Sequence, residues 1–383
     1  MPHCNKKMLS FFLTTKCNLC CRYCYNAKER NAIEEKTLSL EIAKAGVDWY
    51  FLQNDSRHIR FYGPGEPTQE FSHLQEITAY AKAHPNDGEK VTVEIQTNGV
   101  FSEEVRNWAL NNINIMWMSF DGMKEVQSYN RPLNPIYSNL FKNRSSADVL
   151  EDNVRWLICN KKDRDLMVGA RVTITDINID RQMEMVDYFF DLGIRHVWTN
   201  PLFYSVGKIP VYMDEQKLRD YYFDMDLYID NYLKAYEYAK SKGVFWGSFL
   251  TINFDGKSAY HCRCCTPLSA PHLTPDGYIS ACDMVVLGAE PYHMSPFIVG
   301  KWNPEVKSFD LYEDKIKALN NRQSTQMAHC KNCVAKLHCG GYCLGETVNE
   351  TGKLDGQNLV KCKAVRRLFM ELGECSPYPY LHP

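Results

Sequence analysis

Residues Lys16 to Tyr25 read KCNLCCRYCY, and Cys17, Cys21 and Cys24 within them give the spacing C-x3-C-x2-C. Three thiolates suit three irons of a [4Fe–4S] cube and leave the fourth iron open to another ligand. A cube held by four cysteines carries electrons instead. The same residues also read as zinc ligands or as part of a disulfide framework, because Cys17 and Cys20 form a C-x2-C pair of their own. A second group lies far downstream. Cys264 precedes Gly277 to Cys282, a G-x4-C spacing; Cys330-x2-Cys333-x5-Cys339-x3-Cys343 and Cys362 follow. Zinc ribbons use such C-x2-C pairs too.

Sixteen cysteines in 383 residues fall well short of the ~8–10% of small disulfide scaffolds. They cluster at 17–24, 262–282 and 330–362, leaving Cys4, Cys159 and Cys375 apart. Clustering of this kind points to metal or iron–sulfur sites in a reducing, anaerobic cytoplasm. The net charge of −2 gives no reason to expect a nucleic-acid or anionic-membrane partner. No apolar run approaches the ~18 residues of a membrane span. The stretch MLSFFLTT is short, lacks a small-residue cleavage site and runs into Lys16, so it reads as a buried first strand rather than a signal peptide.

The chain is long enough for two domains and a sizeable core. Strand candidates are Leu9–Thr15, His58–Tyr62, Val91–Gln96, Ile115–Phe120, Met167–Thr175 and Arg195–Asn200. Helical patterns lie near 37–53, 70–83, 102–111, 148–160 and 180–192, with Ser39 and Ser102 as starts and Gly193 as a stop. Six βα units imply an α/β fold, a partial (β/α)6 TIM-like barrel left open because closure takes eight. Asp214 to Lys242 reads as one helix stopped by Gly243. Tyr221, Tyr222, Tyr228, Tyr232, Tyr236 and Tyr238 recur near helical spacing, as an interdomain packing face or a wall of a substrate channel.

The polar motifs fall at or just after strands: the cysteine loop, Gly63-Pro64-Gly65-Glu66-Pro67, Thr97-Asn98-Gly99 and Ser119-Phe120-Asp121-Gly122. Loops at the carboxyl ends of parallel strands share one mouth, so these motifs are expected to converge on one ligand. The Gly-Pro-Gly turn lets backbone approach closely and presents carbonyls to an ammonium group. Ser119 and Asp121 can exchange hydrogen bonds at the mouth. Arg131 and Arg171 offer forked donors to a carboxylate, or form surface salt bridges.

The spacing of Cys17, Cys21 and Cys24 resembles the signature of the radical S-adenosylmethionine (SAM) enzymes. That resemblance implies a [4Fe–4S] cluster whose open iron binds the SAM amino and carboxylate groups. Reductive cleavage then yields a 5′-deoxyadenosyl radical that abstracts hydrogen from a substrate. Gly63, Gly65 and Glu66 stand where the family has Gly-Gly-Glu-Pro, used for the SAM amino group; Pro64 is an insertion. Gln96-Thr97-Asn98-Gly99 matches the family's QTNG, and Tyr23 stands where an aromatic residue packs near the adenine. Arg131 and Arg171 become candidates for the SAM carboxylate. Cys20 is then not a ligand. Ser119 to Arg131, SFDGMKEVQSYNR, is similar to the SMDG…NR stretch of anaerobic sulfatase-maturating enzymes, with Gln127 where a His is usual.

The downstream cysteines resemble the SPASM extension of peptide-modifying radical SAM enzymes, so the likeness spans nearly the whole chain. It implies two auxiliary [4Fe–4S] clusters. Cys330, Cys333, Cys339 and Cys362 would hold the distal one. Cys264, Cys282 and Cys343 would hold the proximal one, with Cys262 or Cys265 as a fourth ligand. If neither ligates, that cluster has an open site for substrate. Asp283 follows Cys282 where sulfatase maturases have a catalytic base, and a carboxylate beside a cluster is expected to have a raised proton affinity.

The resulting expectation is a radical SAM barrel over 1–205, a helical bridge over 206–261 and a cysteine-rich SPASM domain over 262–383. The expected activity is oxidative modification of a peptide or protein residue, with a sulfatase maturase making formylglycine and a dehydrogenase of a small sugar or aminocyclitol as rivals. An electron carrier or zinc-binding module would not explain a three-cysteine loop beside glycine motifs. The first strand begins within about ten residues, so no N-terminal recognition domain is expected. A precursor would meet the barrel mouth directly or through a separate recognition protein, with flavodoxin or ferredoxin as electron donor.

Overall fold

The computed structural model describes residues 7–24, 35–85, 89–202, 223–252, 254, 259–260, 262–288 and 292–373. Cys4, Tyr25, the 205/206 boundary, residues 214–222 with Tyr221 and Tyr222, and Cys375 lie outside them. Strands and helices alternate: β1 (Leu9–Phe12), α1 (Leu40–Gln53), β2 (His58–Tyr62), α2 (Phe71–Ala83), β3 (Thr92–Thr97), α3 (Glu103–Asn112) and β4 (Ile115–Ser119). The short α4 (Lys124–Asn130) precedes α5 (Ser146–Lys161), β5 (Met167–Ile174), α6 (Gln182–Asp191) and β6 (His196–Pro201). Hydroxyl caps start the helices where the sequence suggests: Ser39 accepts from the Ile42 amide at 3.3 Å and Ser102 from Val105 at 3.4 Å. Gly193, at φ +83°, ends the turn after α6.

The six strands pair in parallel in chain order. Two additions were not legible. The span expected as a helical bridge contains α7 (Met225–Ser241) and then a seventh parallel strand, β7 (Phe245–Ser248), which pairs with β6. At the opposite edge β8 (His272–Leu273) pairs in parallel with β1. The antiparallel β9 (Tyr278–Ser280), β10 (Ile298–Asn303) and β11 (Ser308–Leu311) continue from it, making one sheet of 11 strands among the described residues. The cysteine-rich half therefore grows out of the barrel's first strand. It ends in α8 (Glu313–Asn320), α9 (Lys336–Cys339), α10 (Leu344–Thr351) and α11 (Leu359–Leu372). Among the described residues no helix is long and apolar enough to cross a membrane.

Alternation along the strands divides two faces. Leu9, Phe11, Ile59, Phe61, Val93 and Ile95 join the main core. On the other face, register sets Ser10 beside Arg60 and Arg60 beside Glu94, all at most 1% exposed. Trp117 and Trp198 help close the interior below the mouth, in an apolar cluster with Met8 and Ile115. They lie over Gly169 and Gly247, where a Cβ would come within 2.4 and 2.6 Å of their rings.

Candidate active site

A cavity of about 240 Å³ opens at the carboxyl ends of the strands. Cys17, Cys21 and Cys24 line one part of it, and Cys262, Cys264, Cys282 and Cys343 another. Tyr23, Gly63, Gly65, Glu66, Asn98, Ser119, Arg131, Arg171 and Asp283 also reach its wall.

The loop after β2 is built against the cysteine loop. Gly65 N donates to Thr14 O at 3.0 Å and Glu66 N to Lys16 O at 2.7 Å. A Cβ on Gly65 would sit 2.1 Å from Lys16 O, so the glycine is required by neighbouring backbone, whereas Gly63 has ordinary space. Glu66 is almost fully buried. Its carboxylate accepts from Thr68 N and Oγ1, from Thr97 Oγ1 at 2.7 Å and from Asn98 N at 2.7 Å. Burial pushes its acidity down, raising the pKa, and these donors oppose that. Glu66 thus clamps two loops together. The Asn98 amide donates to Asn18 Oδ1 at 2.7 Å and reaches Cys17 Sγ at 4.0 Å. Asn18, unmarked in the sequence reading, donates in turn to Val100 O at 2.6 Å and ties the cysteine loop to the loop after β3.

Asp121 was expected at the mouth; it is instead fully buried behind it. Its carboxylate accepts from Tyr23 Oη, from Arg131 Nε at 3.2 Å, from Asn130 Nδ2 at 3.2 Å and from Thr173 N at 3.0 Å. Asp121 therefore positions Tyr23 and Arg131, whose guanidinium lies 5.1 Å from the Tyr23 ring centre. Burial, above all, raises the Tyr23 phenol well beyond its usual value, keeping it a donor. Gln127 accepts from Asp121 N at 2.7 Å and donates to Ser119 O at 3.2 Å, fixing the turn. Arg171 donates to Gln96, and its Nε is buried with no partner among the described residues.

On the opposite wall, the Cys262 thiol is in hydrogen-bonding contact with those of Cys264, Cys265 and Cys343. These contacts and burial push all three partners' thiols well above the usual range. Cys265 is buried away from the cavity wall. Asp283 meets Arg60 Nη2 at 2.6 Å and His272 Nε2 at 3.3 Å. The raised proton affinity expected for Asp283 is corrected here. Burial acts in that direction, but the Arg60 charge, with His272 and Arg263, outweighs it and holds the carboxyl below its usual range. Burial also lowers His272 to about 3. A charged residue in a strand with both faces covered was the signal that could have marked Arg60.

A second cavity, of about 60 Å³, is lined by Cys330, Cys333, Cys339 and Cys362. Among the described residues no three His, Cys, Asp or Glu side chains converge at single-ion distance. The cysteine sets face voids instead, and a four-iron cube fills more space than one ion. The donor chemistry and these voids fit iron–sulfur clusters.

A cysteine loop opening onto the mouth of a parallel partial barrel defines the radical SAM class. Residues 11–204 match the model of the Radical SAM superfamily, and the chain belongs to that superfamily. It is 26% identical over 192 residues to the uncharacterized protein MJ0907 of Methanocaldococcus jannaschii, covering 50% of this chain and 61% of that protein. The chain thus spans about three fifths of that relative's length. Among solved structures, anSMEcpe with bound AdoMet superposes with a TM-score of 0.71 at 16% identity, over 95% of this chain and 92% of that one. Streptococcus suis SuiB bound to its precursor peptide SuiA gives 0.62 at 14% identity, over 93% and 75%. A further anSMEcpe structure, with AdoMet and the Cp18Cys peptide, gives 0.68 at 16% identity, over 95% of each chain. These likenesses establish the shared fold.

Proposed function

We propose that the chain is a SPASM-type radical SAM enzyme that oxidatively modifies a residue of a peptide or protein, by crosslinking or oxidation after hydrogen abstraction. The observation that carries this reading is the single cavity bounded by Cys17, Cys21 and Cys24 and by Cys262, Cys264, Cys282 and Cys343. A substrate there meets a radical source and an electron acceptor together. That structures of similar fold hold AdoMet and peptides supports it.

A cluster with bound SAM supplies one-electron cleavage to a hydrogen-abstracting radical. The chain's residues do the positioning. Cys17, Cys21 and Cys24 would hold three irons and leave the fourth facing the cavity. The Gly63–Gly65 backbone would accept from the ammonium of SAM. Arg171, whose Nε has no partner among the described residues, would donate to the carboxylate. Tyr23, held by Asp121 and Arg131, would offer a flat face to the purine. Cys330, Cys333, Cys339 and Cys362 would hold the distal auxiliary cluster. Cys262 would complete the proximal set with Cys264, Cys282 and Cys343. Asp283 accepts a substrate proton. The Arg60 guanidinium beside it lowers its basicity. Flavodoxin or ferredoxin would supply the electron, in the cytoplasm.

The test is iron and sulfide content of anaerobically purified protein, then dithionite and SAM with detection of 5′-deoxyadenosine. About twelve irons and 5′-deoxyadenosine carrying deuterium from a labelled peptide are expected. Zinc in place of iron, with no SAM cleavage, would overturn the reading. A second reading, formylglycine formation from Cys or Ser, is favoured by Asp283 at the cavity wall beside Cys282. An aldehyde in a sulfatase-type peptide would decide for it.

A further inference from the structure

Arg322, just after α8, is 5% exposed. Its guanidinium donates to Gly341 O at 2.7 Å, Tyr342 O at 3.2 Å and Leu354 O at 3.3 Å. Gly341 and Tyr342 belong to the three-residue link from Cys339, of the distal set, to Cys343, of the proximal set. The fit is tight: a Cβ on Gly341 would lie 2.6 Å from Arg322 Nη1. That link runs through consecutive left-handed residues, Gly340 at φ +59°, Gly341 at +82° and Tyr342 at +63°. Its conformation turns two carbonyls onto one guanidinium.

Carbonyls satisfy the donors of Arg322 but do not neutralise its charge. Among the described residues no carboxylate forms an ion pair with it. A buried, uncompensated cation is costly, and buried charges are normally paired. The link it holds is bounded by Cys339, which lines the second cavity with Cys330, Cys333 and Cys362, and by Cys343, which lines the first with Cys262, Cys264 and Cys282. A [4Fe–4S] cube on four thiolates is a net anion, so clusters at both sites would supply the missing counter-charge.

We propose that Arg322 is the shared counter-charge of two auxiliary clusters, a positioning residue that raises the reduction potential of both. The inference rests on the reading that the two cysteine sets hold clusters. A fixed cation beside a cluster stabilises the reduced, more negative form. One residue therefore makes both sites better electron acceptors. It links them through three residues of backbone rather than through solvent.

The test is a redox titration of the anaerobically loaded full chain, followed by electron paramagnetic resonance, in wild type, Arg322→Gln and Arg322→Lys. In Arg322→Gln each auxiliary midpoint is expected to fall by at least about 59 mV, about a tenfold change in a one-electron reduction constant. The midpoint of the cluster on Cys17, Cys21 and Cys24 stays unchanged, and so does 5′-deoxyadenosine formation with dithionite. Arg322→Lys, which keeps the charge with a poorer fork, keeps midpoints near wild type. Unmoved midpoints in Arg322→Gln, or a shift at only one auxiliary cluster, overturn the proposal. So does Arg322→Lys behaving like Arg322→Gln, which would assign the effect to hydrogen bonding. Should Arg322→Gln lose iron, Arg322→Lys decides alone: full iron with wild-type midpoints supports the proposal, and loss of iron overturns it. Wild-type protein with only about four irons sinks the cluster reading itself. About twelve irons with unmoved midpoints sinks this inference alone.

Discussion

Arg60 Nη2 lies 2.6 Å from the Asp283 carboxylate, across 223 residues of sequence. The pair joins the barrel's second strand to the residue after Cys282 and places a fully buried guanidinium under the cavity floor. Behind it, His58 Nε2 lies 3.0 Å from Glu94. Removing one member of a buried pair leaves the other uncompensated. Asp283→Asn is expected to destabilise the cluster-loaded protein by about 1–2 kcal/mol, below the range for fully buried pairs, because the Asp283 side chain is 39% exposed. Adding Arg60→Met should recover part of that loss. Unfolding midpoints of the two single variants and the double variant check this, and strictly additive costs would show that the pair is not coupled.

The Arg60–Asp283 pair also marks where sequence reading stops. Strand positions, the Ser39 and Ser102 caps and the loops after β1 to β4 lay in local patterns of apolar runs, hydroxyls and glycines; the ends did not, the first strand stopping at Phe12 rather than Thr15. The cysteine spacings carried the sites themselves. The pairing of β8 with β1 did not show, because Ser10 and His272 meet only through a register that no local pattern encodes. Phe245–Ser248 is too short, and too close to the stop at Gly243, to stand out as a strand. The reading of Asp283 reversed for the same reason: its neighbour Cys282 was visible, its ion-pair partner was not.

Gly65 carries a prediction about the cysteine loop. A Cβ there would approach Lys16 O to 2.1 Å and Thr14 O to 2.7 Å, and both atoms are backbone. Gly65→Ala must push the loop that carries Cys17 away from the loop after β2. Overpacking of this kind costs about 1–3 kcal/mol. Purified anaerobically, the variant is expected to lack about four irons and to make no 5′-deoxyadenosine. Gly63→Ala, where the nearest atoms are 3.6 Å away, should keep its iron. Equal iron content in the two variants would contradict this assignment.

Glu350 gives a pH dependence remote from the cavity. Burial first, then the nearby Glu346, raises its carboxyl to about 7, against the opposing effects of Lys361 and a hydrogen bond from Asn358. An acid with a raised folded value binds its proton more tightly in the folded state. Its favourable contribution is complete below about 4.5, the ordinary value, and is lost as pH rises through about 7. Glu350→Gln should therefore match wild type at pH 4 and exceed it at pH 8. The gain is no more than about 1 kcal/mol, because Glu350 is exposed overall, its carboxyl only partly desolvated, and solvent screens it. Denaturant midpoints across that range measure it, and a variant less stable at pH 8 would refute the sign.

Two spare cysteines, Cys262 and Cys265, flank Arg263-Cys264, and geometry separates them. Cys262 lines the cavity and contacts Cys264, Cys265 and Cys343, and it accepts from Leu344 N at 3.4 Å. Cys265 touches Cys262 but is buried off the cavity wall. A fourth ligand must face the same void as Cys264, Cys282 and Cys343, and only Cys262 of the two does. Cys262→Ala is therefore expected to lose the proximal cluster or open a coordination site on it, changing its resonance signal. Cys265→Ala keeps about twelve irons and a wild-type signal. The opposite pattern would move the ligand to Cys265. Wild-type behaviour in both variants would mean the proximal cluster is held by three cysteines, with an iron free to bind substrate directly.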